Sequence, residues 1–209
     1  MPYDSGCPLA QFLDATAARQ PAPGGGSVTA LVGALAAAIG EMVLNYSVGK
    51  EGLEAHQGEL KSAVAELHRA RQLMLVLMVE DQTAYEALTA ARKLPKDSDQ
   101  WRSDYPAALL ASIRTPEVIA ATGVAVLELA DRLVDRVNYY LLSDLAVCAE
   151  LAMATVRCGI YNVRVNRREL TDPADLQRVD TAVDRMLSQA TSVIRRVIPR
   201  IWERNAQGK

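Results

Sequence analysis

Apolar residues recur along this chain every three or four positions, the spacing that gives a helix one buried face. The spacing is sharpest between residues 53 and 93, which we predict to form one long helix or two nearly continuous ones. No segment shows the two-residue alternation of a strand, and neither an internal repeat nor a change of composition divides the chain. We therefore predict an all-α fold, an antiparallel bundle of about seven helices that occupies residues 1–209 as a single domain.

The apolar seam of the long predicted helix contains two charged residues. Arg71 and Asp81 are about 15 Å apart along a helix, which is too far for them to pair with each other. We expect each to have another partner, a solvated cleft or a ligand, because an unpaired charge is costly to bury. The seam positions follow at alternating steps of four and three residues: Leu60, Val64, Leu67, Arg71, Met74, Met78, Asp81, Tyr85 and Leu88.

Capping residues, glycines and prolines predict where the earlier helices begin and end. An opening helix is predicted over residues 8 to 19, and the segment PAPGGG, Pro21–Gly26, ends it. Ser27 is then a natural N-cap for a helix that extends to Gly49. Many residues of this second helix are small, which would let neighbouring helices approach it closely.

Two prolines are predicted to divide the region after residue 99. Thr115-Pro116-Glu117 combines a capping hydroxyl, a first-turn proline and an acid, and Pro106 precedes it. We therefore predict that a helix begins at this triplet and ends near Val137. Further helices are predicted from Ser143-Asp144 to about Arg168, and from Asp172-Pro173 onwards.

The stretch from Ser27 to Gly49 is apolar enough to raise the question of a membrane span. Its only charged side chain is Glu41, and Asn45 follows one turn later. Both residues are expensive within a bilayer, and much of the stretch is Ala, Gly, Ser and Thr. We therefore favour a helix buried inside a soluble protein and expect no membrane partner.

Composition supports the helical prediction and argues against some partners and sites. The chain has 33 alanines and a single phenylalanine, a balance that favours helices over sheets. With 23 Lys and Arg against 25 Asp and Glu, the net charge of −2 offers no basic surface for nucleic acid. Three cysteines without a CxxC pair and two histidines far from them support neither a disulfide framework nor a metal site. No secretory signal is visible, so we expect a cytoplasmic protein with reduced thiols.

The glycine run has two interpretations that the residues leave open. GGGSVT lacks the Gly-Lys-Ser/Thr of a phosphate loop and the third glycine of a dinucleotide fingerprint. It fits a tight turn between helices, because glycine adopts the conformations that turns need. It also fits a site where backbone N–H groups at a helix N-terminus bind a carbonyl or an anion of a ligand.

Three polar residues at helical positions are candidates for chemistry. Asp81 is either a structural acid with a satisfied partner or a general acid–base group, because burial moves a carboxyl pKa upward toward the useful range. Asn162 and Asn166 lie one turn apart and are either a structural amide pair or a reader of a polar heterocycle edge. No Ser-His-Asp arrangement is apparent.

Several motifs in order along the chain resemble the cyclodeaminase/cyclohydrolase family. This family contains the cyclodeaminase domain of formiminotransferase-cyclodeaminase and the methenyltetrahydrofolate cyclohydrolases. The matching segments are PAPGGGSVTALVGALAAAIGEMVLNYSVGK (Pro21–Lys50), EDQTAY (Glu80–Tyr85), LPK (Leu94–Lys96), SDL (Ser143–Leu145) and NVRVNRRELTD (Asn162–Asp172).

The resemblance implies an all-helical, homodimeric enzyme that acts on the one-carbon unit at N5 and N10 of tetrahydrofolate without a metal or organic cofactor. It places the catalytic aspartate at Asp81. It implies that the glycine turn (Gly24, Gly25, Gly26) and Ser27 present backbone donors to the folate. Lys50 and Lys96 would meet the glutamate carboxylates of a substrate that can be polyglutamylated, and Asn138, Asp144, Asn162 and Asn166 would read the pterin edge.

The chain departs from the family pattern at Trp101, Pro106, Val137 and Leu142. If these residues line the pocket, substrate choice or activity is altered. The sequence therefore leaves three hypotheses: a cyclohydrolase, slightly favoured because the deaminase is often fused to a transferase; a cyclodeaminase; and a catalytically silent folate-binding or scaffold protein of the same fold.

Overall fold

A computed structural model describes residues 3–208, and the secondary structure within them is helical. The six α-helices are α1 (Leu9–Ala17), α2 (Gly25–Asn45), α3 (Gln57–Ala91), α4 (Asp99–Leu133), α5 (Leu142–Arg167) and α6 (Pro173–Gln207). Short 3₁₀ turns at Glu54–His56 and Tyr139–Leu141 precede α3 and α5. The all-α prediction is confirmed for the described residues, with six α-helices where about seven were predicted.

Helices α2 to α5 form a four-helix bundle in which neighbours along the chain run antiparallel. The backbone of α2 comes close to both α3 and α5, because a Cβ at Gly33 would lie 2.6 Å from the Met74 methyl and 3.1 Å from Thr155. Gly40, two turns later, lies against Leu67 and Cys148. The alanines and glycines of α2 thus allow the close approach that the sequence predicted.

Helix α6 packs outside the four-helix bundle, against α4 and α5. Its salt bridges to α4 join Arg178 with Glu117 and Arg200 with Asp131, so α6 runs parallel to α4. Asp172 caps α6 as predicted, since its side chain accepts hydrogen bonds from Ala174 N and Asp175 N. The predicted antiparallel arrangement therefore describes neighbours along the chain within α2 to α5, whereas α6 packs parallel to α4.

The predicted break at the two prolines of α4 is wrong. Ser98 caps α4 by accepting from Trp101 N, and the helix then continues through Pro106 and Pro116 to Leu133. A helical proline has no N–H to donate to the carbonyl four residues earlier, which for Pro116 is that of Ser112. The Ser112 carbonyl instead accepts a hydrogen bond of 2.8 Å from Asn166 Nδ2 on α5. This donor from a neighbouring helix lets α4 keep its proline.

The two most apolar helices pack within the bundle. Gly25–Asn45 and Asp99–Leu133 are both long and apolar enough to cross a membrane, but about half of the most apolar window of each, 56% and 50%, is buried against the other helices. In α2 the charged residue Glu41 faces α3, where its carboxylate lies 2.9 Å from Arg71 Nε.

Arg71 therefore finds the partner that its place in the apolar seam requires. Burial opposes the charge of Glu41, but hydrogen bonds from Arg71 and His68 outweigh it and place the pKa of Glu41 below its ordinary value. The pair joins the C-terminal half of α2 to α3, about 22 Å along the helix from the glycine turn.

Candidate active site

A cavity of about 270 Å³ opens where the N-terminus of α2 meets the C-terminal third of α3 and the C-terminal turns of α5. The glycine turn, Gly24 to Gly26, forms one wall, and Asp81 lies beside it. The polar and aromatic residues of the other walls are Gln82, Tyr85, Arg92, Ser112, Asn162 and Asn166. The structure thus brings together the acid, the glycines and the two asparagines that the sequence singled out.

Gly26 of α2 leaves room for the Asp81 carboxylate because it has no side chain. A Cβ built at Gly26 would lie 1.9 Å from Asp81 Oδ1, a distance at which no side chain fits. The absence of a side chain therefore lets the carboxylate reach the first turn of α2. A turn alone does not explain glycine at this position, because the Asp81 carboxylate leaves no room for a side chain.

Ser27 connects the Asp81 carboxylate to the backbone of α3. The prediction that Ser27 caps α2 is wrong, because the helix begins two residues earlier, at Gly25, and Gly24 is its N-cap. The buried Ser27 hydroxyl lies 3.1 Å from Asp81 Oδ2 and 3.1 Å from the Met78 carbonyl oxygen. The hydroxyl can donate to an ionised Asp81, or accept from a protonated Asp81 while it donates to Met78. Both protonation states of the acid are thus accommodated.

Burial raises the pKa of Asp81 above its ordinary value. The hydrogen bonds from the hydroxyl and backbone of Ser27 act in the opposite direction and moderate the rise. A carboxyl in this state exchanges its proton closer to neutral pH than an exposed aspartate does, which suits a general acid–base group.

The first turn of α2 offers hydrogen-bond donors to the cavity. The first bond of the helix runs from Val28 N to Gly24 O, so the N–H groups before Val28 have no partner within the helix. Within residues 3–208, the N–H groups of Gly25 and Gly26 donate no hydrogen bond. These two N–H groups border the cavity, where a carbonyl or anionic oxygen of a ligand can accept from them.

The side-chain amide nitrogen of each of the two asparagines of α5 donates a hydrogen bond to a backbone carbonyl. Asn162 Nδ2 donates to Cys158 O at 2.9 Å in its own helix, and Asn166 Nδ2 donates to Ser112 O on α4. Both residues line the cavity, and no hydrogen bond within the described chain uses either Oδ1. The side-chain oxygens are therefore the groups that these residues can present to a donor edge of a ligand.

Gln82, which the sequence analysis did not select, anchors the N-terminal segment beside the site. Its side chain is buried, accepts from Tyr3 N at 2.8 Å and donates to Tyr3 O at 2.9 Å. The sequence offered one sign of its importance, because Gln82 is a polar residue that directly follows the seam residue Asp81. Gln82 therefore ties the segment that precedes α1 to α3 beside the cavity.

Arg92 is a second residue of the cavity that the sequence spacing did not single out. Its guanidinium pairs with Glu169, which also accepts a hydrogen bond of 2.7 Å from the Tyr105 hydroxyl. Trp101 stacks on Tyr105 with ring centroids 4.9 Å apart. The sequence spacing gave no sign of this cluster, because its members come from three separate segments.

Three of the predicted binding residues lie at the other end of the bundle. Asn138 is bonded to Tyr46 O and Ser47 Oγ, just past the C-terminus of α2 and so about 30 Å from the glycine turn. Lys50 Nζ lies 5.6 Å from the ring centroid of Tyr140, and Asp144 occupies the first turn of α5. None of the three lines the cavity, so one chain does not bring all the predicted residues to one ligand.

The remaining predicted positions lie outside the cavity wall. Lys96 is exposed beyond the C-terminus of α3, at the same end of the bundle as the cavity. Val137 and Leu142 are buried in the core, and Trp101 and Pro106 lie in the first turns of α4. The departures from the family pattern therefore do not alter the lining. Across residues 3–208, no group of three or more His, Cys, Asp or Glu is placed to hold a metal ion.

Comparisons with known proteins agree on one family. The sequence profile described as formiminotransferase-cyclodeaminase matches residues 8–185. A methenyltetrahydrofolate cyclohydrolase from Methylorubrum extorquens is 28% identical over 190 residues, which cover 89% of this chain and 91% of that protein. A formimidoyltransferase-cyclodeaminase from Gallus gallus is 32% identical over 187 residues, 88% of this chain but 35% of that longer protein.

A solved structure has the same fold. The crystal structure of formiminotetrahydrofolate cyclodeaminase from Thermotoga maritima matches with a TM-score of 0.87 and 27% sequence identity. The match covers 94% of this chain and 96% of that chain.

Proposed function

The chain belongs to the formiminotransferase-cyclodeaminase family, and we propose that this folate one-carbon enzyme hydrolyses the methenyl bridge of 5,10-methenyltetrahydrofolate. The observation that carries the proposal is the Asp81 carboxylate, which lies in the cavity against Gly26 with a raised pKa. The resemblance implies the catalytic role of this residue independently of the geometry. The full-length match to a cyclohydrolase supports the choice of reaction.

Asp81 is suited to carry a proton from the attacking water to N5. As water adds to the cationic bridge carbon, the carboxylate accepts a proton from it, and the carbon becomes tetrahedral with a hydroxyl between N5 and N10. The bond from that carbon to N5 then breaks as Asp81 gives the proton to N5. The hydroxyl releases its own proton to solvent as the carbonyl forms, and the product is 10-formyltetrahydrofolate. The Ser27 hydroxyl can hydrogen-bond to the acid in either protonation state and favours the ionised one, and the N–H groups of Gly25 and Gly26 are placed to donate to a substrate oxygen.

Cyclodeamination of 5-formiminotetrahydrofolate is the second candidate function, favoured by the similarity to the Thermotoga maritima structure. In that reaction N10 attacks the protonated formimino carbon, the acid passes the proton of N10 to the departing nitrogen, and ammonia leaves as the methenyl bridge forms. The same carboxylate could serve, because both reactions pass through a tetrahedral carbon between two nitrogens. We further propose that neither a metal nor an organic cofactor takes part and that the enzyme works in the cytoplasm.

Two assays with purified protein distinguish the candidates. Loss of methenyltetrahydrofolate absorbance, measured against the uncatalysed hydrolysis, reports the cyclohydrolase, and ammonia release from 5-formiminotetrahydrofolate reports the cyclodeaminase. Activity that persists after treatment with a chelator supports the cofactor-free mechanism. Folate binding without either turnover would overturn the enzyme assignment and support the catalytically silent alternative.

We also propose that the enzyme is a homodimer with antiparallel copies of α2 at its interface. The outer face of α2 is apolar, and Leu35, its middle residue, is 53% exposed. A two-fold axis near Leu35 would place the glycine turn of one copy beside the Lys50, Asn138 and Asp144 end of its partner. The predicted binding residues that one chain separates would then meet at two shared sites.

Mixing two inactive variants tests this arrangement. Asp81→Asn removes the acid from one end of the bundle, and a Lys50→Met, Asp144→Asn variant removes polar groups from the other. If each site takes residues from two copies, mixed dimers regain up to about one intact site in two, and activity recovers. A monomer in light scattering, or no recovery in dimers shown to exchange, would contradict the shared site.

A further inference from the structure

One face of α3 lines the cavity over a length suited to more than a pterin ring. Asp81, Tyr85, Leu88 and Arg92 follow at steps of four, three and four residues and all border the cavity. From Asp81 to Arg92 the helix rises about 16 Å, and an arginine side chain leans back toward the N-terminus of its helix. The acid and the guanidinium thus stand at two ends of one wall.

The wall between these ends is aromatic and apolar. Tyr85 is 43% exposed although it occupies a seam position, because it faces the cavity and not a neighbouring helix. Leu88 continues the wall, and Val165 of α5 lies on the opposite side. A flat aromatic ring bound here would contact the Tyr85 ring and these aliphatic groups.

The Arg92 guanidinium is held in place with one edge still available. Its Nε and Nη2 both donate to Glu169, so the carboxylate occupies the Nε–Nη2 edge. Within the described chain Nη1 has no acceptor, and the Nη1–Nη2 edge can bind a second carboxylate with two parallel hydrogen bonds. Arg92 holds the pKa of Glu169 below its ordinary value, and the Tyr105 hydroxyl fixes the same carboxylate from another side.

We propose that Arg92 binds the glutamate carboxylate of the folate substrate, with the aminobenzoyl ring against Tyr85. This assignment rests on the proposed function, since it requires a folate whose one-carbon unit lies at Asp81. Arg92 is the cationic residue that the chain's own cavity offers to this carboxylate, because Lys50 of the same chain lies at the other end of the bundle and would reach the site only from a partner copy. Lys96, exposed beyond Arg92, is then positioned for the carboxylates of further glutamates.

Arg92→Met tests the assignment with two substrates that differ only in the glutamate. We expect the variant to raise KM for methenyltetrahydrofolate about tenfold, the value of a charged hydrogen-bonded contact, with little change in kcat. KM for methenyltetrahydropteroate, which has the same rings without glutamate, should stay unchanged. Arg92→Lys should lie between, because an ammonium keeps the charge but not the two parallel bonds. The neighbouring exposed Lys93→Met is the matched control and should leave both KM values unaltered.

The outcomes separate this assignment from the proposed function. If wild-type protein turns over the folate but Arg92→Met and Arg92→Lys leave both KM values unchanged, or change them equally, Arg92 does not bind the glutamate. If wild-type protein neither binds nor converts either substrate, the proposed function fails and this assignment fails with it. If Arg92→Met does not fold, the Arg92→Lys comparison decides alone.

Discussion

The carboxylate of Asp81 occupies the space that a side chain at Gly26 would need, since a Cβ there would lie 1.9 Å from Oδ1. This contact joins the first turn of α2 to the C-terminal third of α3 and fixes one wall of the cavity. A glycine and an acid that are 55 positions apart in the sequence thus depend on each other.

Gly26→Ala should abolish activity and leave the fold intact. The new methyl displaces the carboxylate from the first turn of α2, and we expect kcat/KM to fall at least about a hundredfold, as for loss of an acid–base group. Gly58→Ala is the control, because nothing lies within 4 Å of a Cβ there and its φ is not positive. It should keep full activity and gain up to about 1 kcal/mol in stability. Full activity of Gly26→Ala would contradict the role of this contact.

Asp81→Asn should remove activity and stabilise the protein at neutral pH. Loss of an acid–base group costs about a hundred- to ten-thousandfold in rate. Because burial raises the pKa of Asp81 in the folded state, its contribution to stability is present below the unfolded pKa and is lost as the pH rises through the folded pKa. The amide of the Asp81→Asn variant does not ionise, so the variant does not lose this stability as the pH rises. Thermal unfolding should therefore show a higher Tm for the variant at pH 7, with the difference shrinking below about pH 4.

Ser27→Ala should move the acid limb of the pH–rate profile to higher pH. The hydroxyl stabilises the ionised form of Asp81, so its removal raises the pKa further and lowers the fraction of carboxylate at any given pH. Thr155→Val is the matched control, since its buried hydroxyl bonds only to Leu151 O in its own helix. An unshifted limb in Ser27→Ala, measured as kcat/KM against pH, would show that Ser27 does not tune the acid.

Asn166 and Pro116 should be coupled energetically. Asn166→Ala leaves the buried Ser112 carbonyl without its donor and should cost about 1–3 kcal/mol in urea unfolding. Pro116→Ala restores an N–H that can donate to the same carbonyl, so the double variant should regain most of that loss. Pro106→Ala combined with Asn166→Ala is the control and should not recover stability. Additive effects of Asn166→Ala and Pro116→Ala would show that the two residues act separately.

The sequence predicted the fold class and the acid because both follow from local spacing. A charged residue in an apolar seam must have a partner, so spacing alone singles out Asp81 and Arg71, whose partners in the fold are Ser27 and Glu41. Spacing does not identify Ser27 as a partner, since the serine resembles an N-cap and lies on a different helix.

The errors arose where a distant residue decides the local structure. Pro116 has the sequence context of a helix start, but the amide of Asn166, 50 positions later, replaces the bond that the proline lacks. Lys50 and Asn162 belong to motifs of one family, yet long helices carry them to opposite ends of the bundle. Spacing along the chain indicates which face of a helix a residue lies on, but not which end of a neighbouring helix it will meet.

The Glu41–Arg71 ion pair also determines the register of α2 on α3. A slip of one turn, about 5.4 Å, would separate this pair and, in one direction, bring Ala30 opposite Asp81 in place of Gly26. Ala30 carries the Cβ that the carboxylate cannot tolerate. Misaligned packing is therefore penalised at both ends of α2, by an unpaired charge at one and a steric clash at the other. An otherwise smooth, alanine-rich helix thereby has a single alignment in which the site forms.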